Sequence, residues 1–349
     1  MASTDPTRAP RRDNRVAPLG ALGLPDQQTR RHAGCLGIIP LTRLGGDRAA
    51  DIEAFGVEPT VETRQEAGLC LARSTDFSFG VIELDEGNGL AAGTEAAYRR
   101  LFETLDPSPS PQLWRVWQYL PGINAIDPRT GLERYRLFNQ GRAAAFDSAG
   151  HEVTTRSPAA CALGCQPGER GRLIFLAAAS PCLAIENPRQ ISAYHYPSDY
   201  GPQSPIFARA AMGHGVVHDW LFISGTASIV GHASQHPGDV RGQTDETLAN
   251  LVAVLDTANT RQPRRARPFA FDRRTVLRVY LRDPGDLEAV RDRLAIGLEA
   301  PVAILFLQAD ICRSELLVEI EATLRQPRDG QPWEGDEPTI RDDGPWVPL

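Results

Sequence analysis

The chain has 349 residues, of which 42% are hydrophobic and 23% are charged, and this composition is typical of a globular protein large enough for two domains. The sequence contains no lysine, so all 37 cationic side chains are arginine, which excludes Schiff-base and pyridoxal-phosphate lysines and the Walker A motif. The formal charge is −7 and no basic run stands out, so we expect neither nucleic acid nor an anionic membrane as a partner.

The cysteines and the N-terminal residues indicate the compartment. The six cysteines are irregularly spaced and form neither a disulfide framework nor a CxxC pair, so we expect no metal site and no cofactor. The first residues are polar and lack the apolar core of a signal peptide, and no later stretch is apolar for long enough to span a membrane. We therefore predict a cytoplasmic protein with reduced cysteines.

In the N-terminal half, residues 1–30 are rich in proline and arginine and are predicted to form a disordered arm. Strands are predicted at 80–84, 113–120 and 172–177, and helices at 95–105 and 135–146. The first of these helices has Tyr98, Leu101, Phe102 and Leu105 along one face. These elements form a divergent α/β domain, predicted to span residues 31–190.

The C-terminal half shows a clearer pattern of the same kind. Strands are predicted at 220–225, 275–281, 302–307 and 314–324, with helices at 244–260 and around Val290. The order is β-α-β-α-β-β, and the N-terminal half repeats it without sequence similarity, so an internal duplication is a reasonable hypothesis. We predict a second domain over 191–325 and a proline-rich acidic tail over 326–349.

Several motifs carry a family resemblance. Residues 222–232 (FISGTASIVGH) and 312–322 (CRSELLVEIEA) resemble the YjgF/RidA family. Residues 119–124 (YLPGIN), 133–142 (ERYRLFNQGR) and 200–209 (YGPQSPIFAR) narrow the resemblance to the chorismatase family. This resemblance implies an α+β fold in which mixed sheets carry helices on one face. It also implies two YjgF/RidA-like (chorismate-mutase-like) domains in tandem.

The resemblance further implies an enzyme that converts chorismate to 3-hydroxybenzoate and pyruvate for secondary metabolism. Cleaving the vinyl ether requires a positioned acid that protonates its methylene carbon, and in the family this acid matches Glu319. Strand alternation places Glu319 opposite Val318 and Ile320 and on the same face as Arg313. We therefore hypothesise that Glu319 is ionised in the free protein and gains its proton when substrate neutralises the arginine.

Other residues of the matching motifs are assigned to the site by the same resemblance. Arginine is suited to binding carboxylates because its planar guanidinium donates two parallel hydrogen bonds. The predicted catalytic residues besides Glu319 are Cys312 and Gly225, and the predicted substrate-binding residues are Arg142, Arg209, Arg313, Tyr200, Ser204 and Asn139. In the family, glycine and cysteine at the positions of Gly225 and Cys312 are associated with the aromatic product.

Alternatives remain open at this point. A hydrolytic chorismatase would release pyruvate and a trans-dihydroxycyclohexadiene carboxylate. An imine deaminase like single-domain RidA proteins, or a non-catalytic small-molecule-binding protein, would explain only the C-terminal motifs. Cys312 falls on the opposite alternation from Glu319 and reaches the same pocket only if a bulge intervenes or if it precedes the strand. We expect a monomer or a low-order homo-oligomer.

Overall fold

The computed structural model describes residues 19–24, 34–56, 62–150, 154, 156–262 and 267–328. Its α-helices are α1 (Leu90–Leu105), α2 (Arg134–Ala149), α3 (Val240–Arg261) and α4 (Leu287–Gly297). Its strands are β1 (Gly20–Gly23), β2 (Cys35–Ile38), β3 (Thr42–Gly46), β4 (Ile52–Phe55), β5 (Glu62–Glu66), β6 (Leu69–Arg73), β7 (Phe77–Glu83), β8 (Gln112–Pro121), β9 (Ala159–Cys165), β10 (Arg172–Ala178), β11 (Leu183–Ile185), β12 (Ala210–His214), β13 (His218–Ala227), β14 (Ile229–Val230), β15 (Ala233–Ser234), β16 (Val276–Leu281), β17 (Ala303–Gln308), β18 (Asp310–Ile311) and β19 (Val318–Pro327). In this part of the chain no helix combines the length and apolar character needed to cross a bilayer.

Two seven-stranded mixed sheets dominate the fold. The first sheet has the order β18-β9-β8-β10-β7-β6-β5, and the second has the order β11-β12-β13-β19-β16-β17-β3. In the first sheet β8 and β9 are parallel, in the second β16 and β17 are parallel, and the other neighbours are antiparallel. The predicted α+β class with mixed sheets is therefore confirmed.

The two sheets share one topology. In the first half, β7-α1-β8-α2-β9-β10 gives the spatial order β7-β10-β8-β9; in the second, β13-α3-β16-α4-β17-β19 gives β13-β19-β16-β17. The repeated β-α-β-α-β-β order predicted from periodicity is thus present in both halves, in tandem. Strands also cross between the halves, because β18 joins the first sheet and β3 joins the second. The division of the chain near residue 190 stays a prediction.

The layers follow from which faces are apolar. Helices α1 and α2 pack on the outer face of the first sheet, around Phe138 and Phe175, and α3 and α4 pack on the outer face of the second sheet, around Leu251 and Val279. The inner faces of the two sheets meet in an aromatic core that includes Trp117. Each sheet is therefore buried on both faces, between its own helices and the other sheet.

Two boundaries differ from the sequence-based prediction. Strand β19 begins at Val318 rather than at residue 314, because the chain turns just before it and the Leu316 amide donates to the Arg313 carbonyl at 3.1 Å. Residues 20–23 belong to the predicted arm but form the buried strand β1, which pairs with β2 and β4. The rest of the arm and the predicted tail beyond residue 328 lie outside the described residues.

The cysteine prediction also needs a correction. Cys35 of β2 and Cys70 of β6 form a disulfide, with Cα atoms 5.9 Å apart. Their separation of 35 residues gave no indication of this pairing, and the expectation of fully reduced cysteines is wrong for this pair. The bridge depends on the packing of β2 against β6, which is a tertiary contact.

Candidate active site

A cavity of about 280 Å³ opens where the start of α2, the segment 190–209 and strands β13 and β19 converge. Six of the nine predicted site residues line it: Tyr200, Arg209, Gly225, Cys312, Arg313 and Glu319. All six residues belong to the second half of the chain, where they are up to 119 positions apart in the sequence (Tyr200 to Glu319). The motifs at 200–209, 222–232 and 312–322 therefore meet in one place.

Glu319 lies on β19 between Tyr280 of β16 and Ala227 of β13, and its side chain is directed toward the first sheet. The residue is 3% exposed, and its carboxyl makes no hydrogen bond to the described residues. Burial, reinforced by the nearby charge of Glu321, raises the pKa of Glu319 to about 8. The carboxyl therefore holds its proton at neutral pH before any substrate binds.

This result corrects the hypothesis of a substrate-gated proton. Arg313 precedes β19 and does not share the strand face with Glu319, so the alternation argument fails at that residue. The guanidinium of Arg115 lowers the pKa of Glu319, but burial and Glu321 outweigh it. The proton on Glu319 is thus a property of the folded protein rather than of the complex.

Glu321 lies on the same strand face as Glu319, but its carboxylate is surrounded by hydrogen-bond donors. Its carboxylate accepts hydrogen bonds from Arg115, from the Trp117 indole (3.1 Å) and from Arg278 (3.0 Å). Arg278 in turn pairs with Glu53 at 2.7 Å. Burial opposes ionisation, but Arg115 and Arg278 hold the pKa of Glu321 below its usual value. We call Glu53, Arg115, Arg278 and Glu321 the inter-sheet cluster.

Gly225 makes room for the Glu319 carboxyl. The register between β13 and β19 shifts between Ile223 and Thr226, which places a bulge at Gly225. A Cβ atom added to Gly225 would lie 2.0 Å from Glu319 Oε1 and 3.1 Å from the Cβ of Cys161. Any larger residue at 225 must displace the acid, so Gly225 acts on the position of Glu319 as well as on the shape of the cavity.

Cys312 lies in the turn before β19 and lines the cavity beside Glu319. Because it precedes the strand, the alternation that separated the two residues in the sequence does not apply. Burial, together with the nearby Glu319, raises the pKa of Cys312 to about 12. The thiol therefore stays protonated, and its effect on the reaction is through its volume and weak polarity rather than as a thiolate.

Two guanidinium groups share one wall of the cavity. Arg209 donates to the Tyr196 hydroxyl and to the Ile191 carbonyl, both at 2.8 Å, and its Nε has no acceptor among the described residues. Arg313 donates to the His232 carbonyl at 2.8 Å, and its Nη2 has no acceptor among them either. Both guanidinium groups lie over the Tyr196 ring, 5.5 and 5.3 Å from its centroid. Each group thus keeps an unused donor near the cavity.

These arginines make no ion pair within the described structure, although the buried carboxyl of Glu186 is close enough to Arg209 for the guanidinium to oppose the rise in pKa that burial causes at Glu186. No carboxylate of the described residues lies within ion-pair distance of Arg142, Arg209 or Arg313, although Arg142 is 2% exposed and Arg209 is 5% exposed. Arg325, 7% exposed and outside the cavity, also lacks an ion pair among the described residues, whereas the buried Arg115 and Arg278 are paired with carboxylates. This arrangement is what an anion-binding site requires.

Three predicted residues do not line the cavity. Arg142 and Asn139 lie behind it on α2, where Arg142 donates to the Asn139 amide oxygen at 2.7 Å and to that of Gln118 at 3.2 Å. The Ser204 hydroxyl donates to the Tyr196 carbonyl at 3.0 Å and so supports the wall of the cavity. Whether any of them contacts substrate stays a prediction.

The structure adds lining residues that sequence reasoning missed. Tyr135 and Tyr196 both face the cavity, and Glu133 and Arg136 stand at its rim. Tyr135, Glu133 and Arg136 lie inside the quoted motif at 133–142, which was the available signal. Tyr196 lies outside every quoted motif, and only the folding of 190–209 across the cavity reveals it. Among the described residues, no group of three histidine, cysteine or acidic side chains could hold a metal ion.

The arrangement can therefore bind an anion and protonate it in the same cavity. Comparisons with known proteins agree in pointing to one family. Residues 53–177 match the family model described as chorismatase FkbO/Hyg5-like, N-terminal. The chain is 37% identical over 275 residues to a chorismatase of Streptomyces hygroscopicus, covering 79% of each protein.

A second relative and a solved structure extend the match. A 3-hydroxybenzoate synthase of Streptomyces hygroscopicus is 32% identical over 276 residues, covering 78% of this chain and 81% of that protein. A crystal structure of a chorismatase superposes with a TM-score of 0.75 at 33% identity, covering 91% of this chain and 96% of the other.

Proposed function

The chain belongs to the chorismatase family, and on that premise we propose that it converts chorismate to 3-hydroxybenzoate and pyruvate, with Glu319 as the acid. One observation carries this proposal: a buried glutamic acid that holds its proton shares a cavity with two arginines that lack carboxylate partners among the described residues. Chorismate has two carboxylates, which can pair with the arginines, and a vinyl ether, which can accept the proton of the glutamic acid.

The first step is a proton transfer from the Glu319 carboxyl to the terminal methylene of the enolpyruvyl group. The methylene becomes a methyl group and the adjacent carbon becomes an oxocarbenium ion, while Glu319 becomes a carboxylate. An acid with a pKa near 8 is suited to this transfer at neutral pH because it is protonated in most molecules. The arginines stabilise the dianionic substrate throughout.

The second step decides the product. When the ring 4-hydroxyl oxygen bonds to the neighbouring ring carbon, the bond from that carbon to the side-chain oxygen breaks and pyruvate leaves. The hydroxyl proton returns to the Glu319 carboxylate, and the arene oxide opens to 3-hydroxybenzoate with loss of a ring proton and protonation of the oxygen. Atoms and charges balance without water, oxidant or reductant.

The hydrolytic alternative requires a water molecule at the oxocarbenium carbon. Gly225 lets the Glu319 carboxyl lie against β13, and Cys312 occupies the wall beside it. In this proposal, that pair of residues restricts the space for water and favours attack by the ring hydroxyl. The relative named 3-hydroxybenzoate synthase supports the aromatic product, whereas the relatives named chorismatase are compatible with either product.

The test is to mix the purified protein with chorismate and identify the products by mass and absorbance, with pyruvate measured by coupled reduction to lactate. We expect equimolar pyruvate and a fluorescent aromatic acid. A non-aromatic diene with pyruvate would overturn the product assignment and retain the acid mechanism. No pyruvate release would overturn the proposed function as a whole.

A further inference from the structure

Three arginines were predicted to bind a substrate with two carboxylates, and the cavity shows only two of them. Arg209 and Arg313 both line the cavity and both lie against the Tyr196 ring, and we assign one carboxylate to the two of them. Arg142 does not line the cavity. The second carboxylate of the substrate therefore needs another binding residue. Tyr135 lines the cavity on the side where Arg142 is buried.

Tyr135 and Arg142 lie on one stripe of α2, seven residues apart, with Phe138 and Asn139 between them. The Tyr135 ring stacks on Phe138, with centroids 6.5 Å apart, and the Arg142 guanidinium lies 5.0 Å from the Phe138 centroid. Tyr135 itself lines the cavity beside Cys312 and Glu319. These stacked side chains therefore connect the buried guanidinium of Arg142 with Tyr135 at the cavity wall.

Hydrogen bonds fix the orientation of the groups on this stripe. Arg142 donates to the Asn139 amide oxygen at 2.7 Å, so the Asn139 NH₂ group is directed elsewhere. Asn139 is 1% exposed, and its Nδ2 has no acceptor among the described residues. The Gln118 side chain is fixed as well. Its Nε2 donates to the Cys161 carbonyl at 2.7 Å, and its Oε1 accepts from Arg142 at 3.2 Å. The group toward which the buried Asn139 amide donor is directed is the Tyr135 hydroxyl, so Asn139 helps to orient that hydroxyl.

The Tyr135 hydroxyl is suited to the same ligand. Burial raises the pKa of the Tyr135 hydroxyl, so it remains a neutral donor and cannot act as a base. Asn139 and Arg142 interact with this hydroxyl from behind, and Cys312 and Glu319 face it. A neutral donor backed by a buried cation binds a carboxylate without needing to contact the cation directly.

Resting on the proposed function, we propose that the Tyr135 hydroxyl, positioned from behind by the Asn139 amide, binds the substrate carboxylate that Arg209 and Arg313 do not hold. Arg142 balances the charge of this carboxylate from behind and does not touch it. This assignment replaces the predicted direct contact of Arg142 with substrate. It also makes Tyr135 a substrate-binding residue, which sequence reasoning did not identify.

The test is Tyr135→Phe, which removes one oxygen atom and keeps the ring. With chorismate as substrate and pyruvate release as the signal, we expect KM to rise about tenfold, since a lost hydrogen bond to a charged group is worth roughly that factor or more. Tyr194→Phe is the matched control, because Tyr194 is a partly exposed tyrosine that does not line the cavity. Its KM and kcat should stay unchanged.

The two products separate a specific contact from a general disturbance. 3-Hydroxybenzoate retains the ring carboxylate and pyruvate retains the side-chain carboxylate, so each reports on one subsite as an inhibitor. We expect Tyr135→Phe to weaken inhibition by one product about tenfold and to leave the other unchanged. Asn139→Leu should weaken inhibition by the same product, which gives a second route to the subsite if either variant is less stable.

Three outcomes would overturn the proposal. Unchanged KM and unchanged product inhibition in Tyr135→Phe would show that the hydroxyl does not contact substrate. Tighter chorismate binding in Tyr135→Ala would show that the ring covers Arg142 and that Arg142 binds substrate directly. If wild-type protein releases no pyruvate from chorismate, the proposed function fails and this inference fails with it; normal wild-type turnover with an unaffected variant defeats the inference alone.

Discussion

The inter-sheet cluster and the cavity are built from the same two residue types and differ in pairing. In the inter-sheet cluster, Arg115 and Arg278 are matched by Glu53 and Glu321. In and behind the cavity, Arg142, Arg209 and Arg313 have no carboxylate partner among the described residues, and none of those residues forms a hydrogen bond with the Glu319 carboxyl. Glu319 and Glu321 are two residues apart on one strand face, yet burial raises the pKa of Glu319 whereas the arginines lower the pKa of Glu321.

The difference shows how one fold keeps a proton and an anion site next to each other. Two cations and two anions neutralise one another in the inter-sheet cluster, so Glu321 can remain ionised in the core. The ionised Glu321 then adds to the desolvation of Glu319 and helps it keep its proton. On the proposed function, the unpaired groups of the cavity would gain their partners when substrate binds.

The largest expected effect is that of Glu319→Gln, which keeps the size of the side chain and removes its transferable proton. We expect kcat to fall about a thousandfold, or about 4 kcal/mol, because general acid catalysis contributes on that order. Chorismate binding measured by calorimetry should remain. Glu288→Gln, at an exposed position of α4, is the control and should keep full activity. Retained turnover in Glu319→Gln would assign the acid to another residue.

Glu321→Gln tests the paired side of the comparison. It leaves two buried guanidinium groups without adequate counter-charge, so we expect a loss of about 3 kcal/mol in the free energy of unfolding, measured in urea. Glu288 pairs with Arg291 at 2.7 Å on the surface, with side chains 73% and 46% exposed, and Glu288→Gln should change stability by less than about 0.5 kcal/mol. Equal effects in the two variants would contradict the role assigned to the cluster.

Arg209→Met tests the unpaired side. We expect KM for chorismate to rise about thirtyfold, or about 2 kcal/mol, through the lost charge-assisted hydrogen bonds. The free energy of unfolding should stay the same or increase, because the guanidinium removed has no carboxylate partner among the described residues. Arg170→Met, at a side chain 76% exposed, should leave KM unchanged. A strongly destabilised Arg209→Met would show that this arginine is structural.

The smallest expected effects are the changes in kcat/KM and in the free energy of unfolding for each pH unit. Because the reactive form of Glu319 is protonated, kcat/KM should fall about tenfold per unit above pH 8. The folded-state pKa of Glu319 is raised above 4.5, so its contribution to stability is complete below about pH 4.5 and is lost as pH rises through about 8. Relative to Glu319→Gln, wild type should lose up to about 1.4 kcal/mol per pH unit in that window, measured by urea unfolding. A flat difference would place the carboxyl in water.

Several features of this protein were accessible from the sequence. The α3 helix was predicted at 244–260 and observed at Val240–Arg261, where Asp239 caps its first turn and adds four residues. The β-α-β-α-β-β order was predicted in full for the second half and, except for β9, for the first half, and six of the predicted site residues line one cavity. Strand β9 (Ala159–Cys165) was missed because its alanines, cysteines and glycine carry no strand periodicity.

The sequence by itself determined the family and the order of most elements, and it predicted Glu319 as the acid, because helical and strand periodicities and short motifs are local properties of the chain. Only the tertiary structure decided which charges are paired. The partners of Glu321 come from β8 and β16, and the carboxyl of Glu319 fills the space that Gly225 leaves open. Such pairings join residues more than 40 positions apart, and no spacing in the sequence records them. The same reason explains why the sequence could not show that Arg142 does not line the cavity, and its predicted contact with substrate stays a prediction.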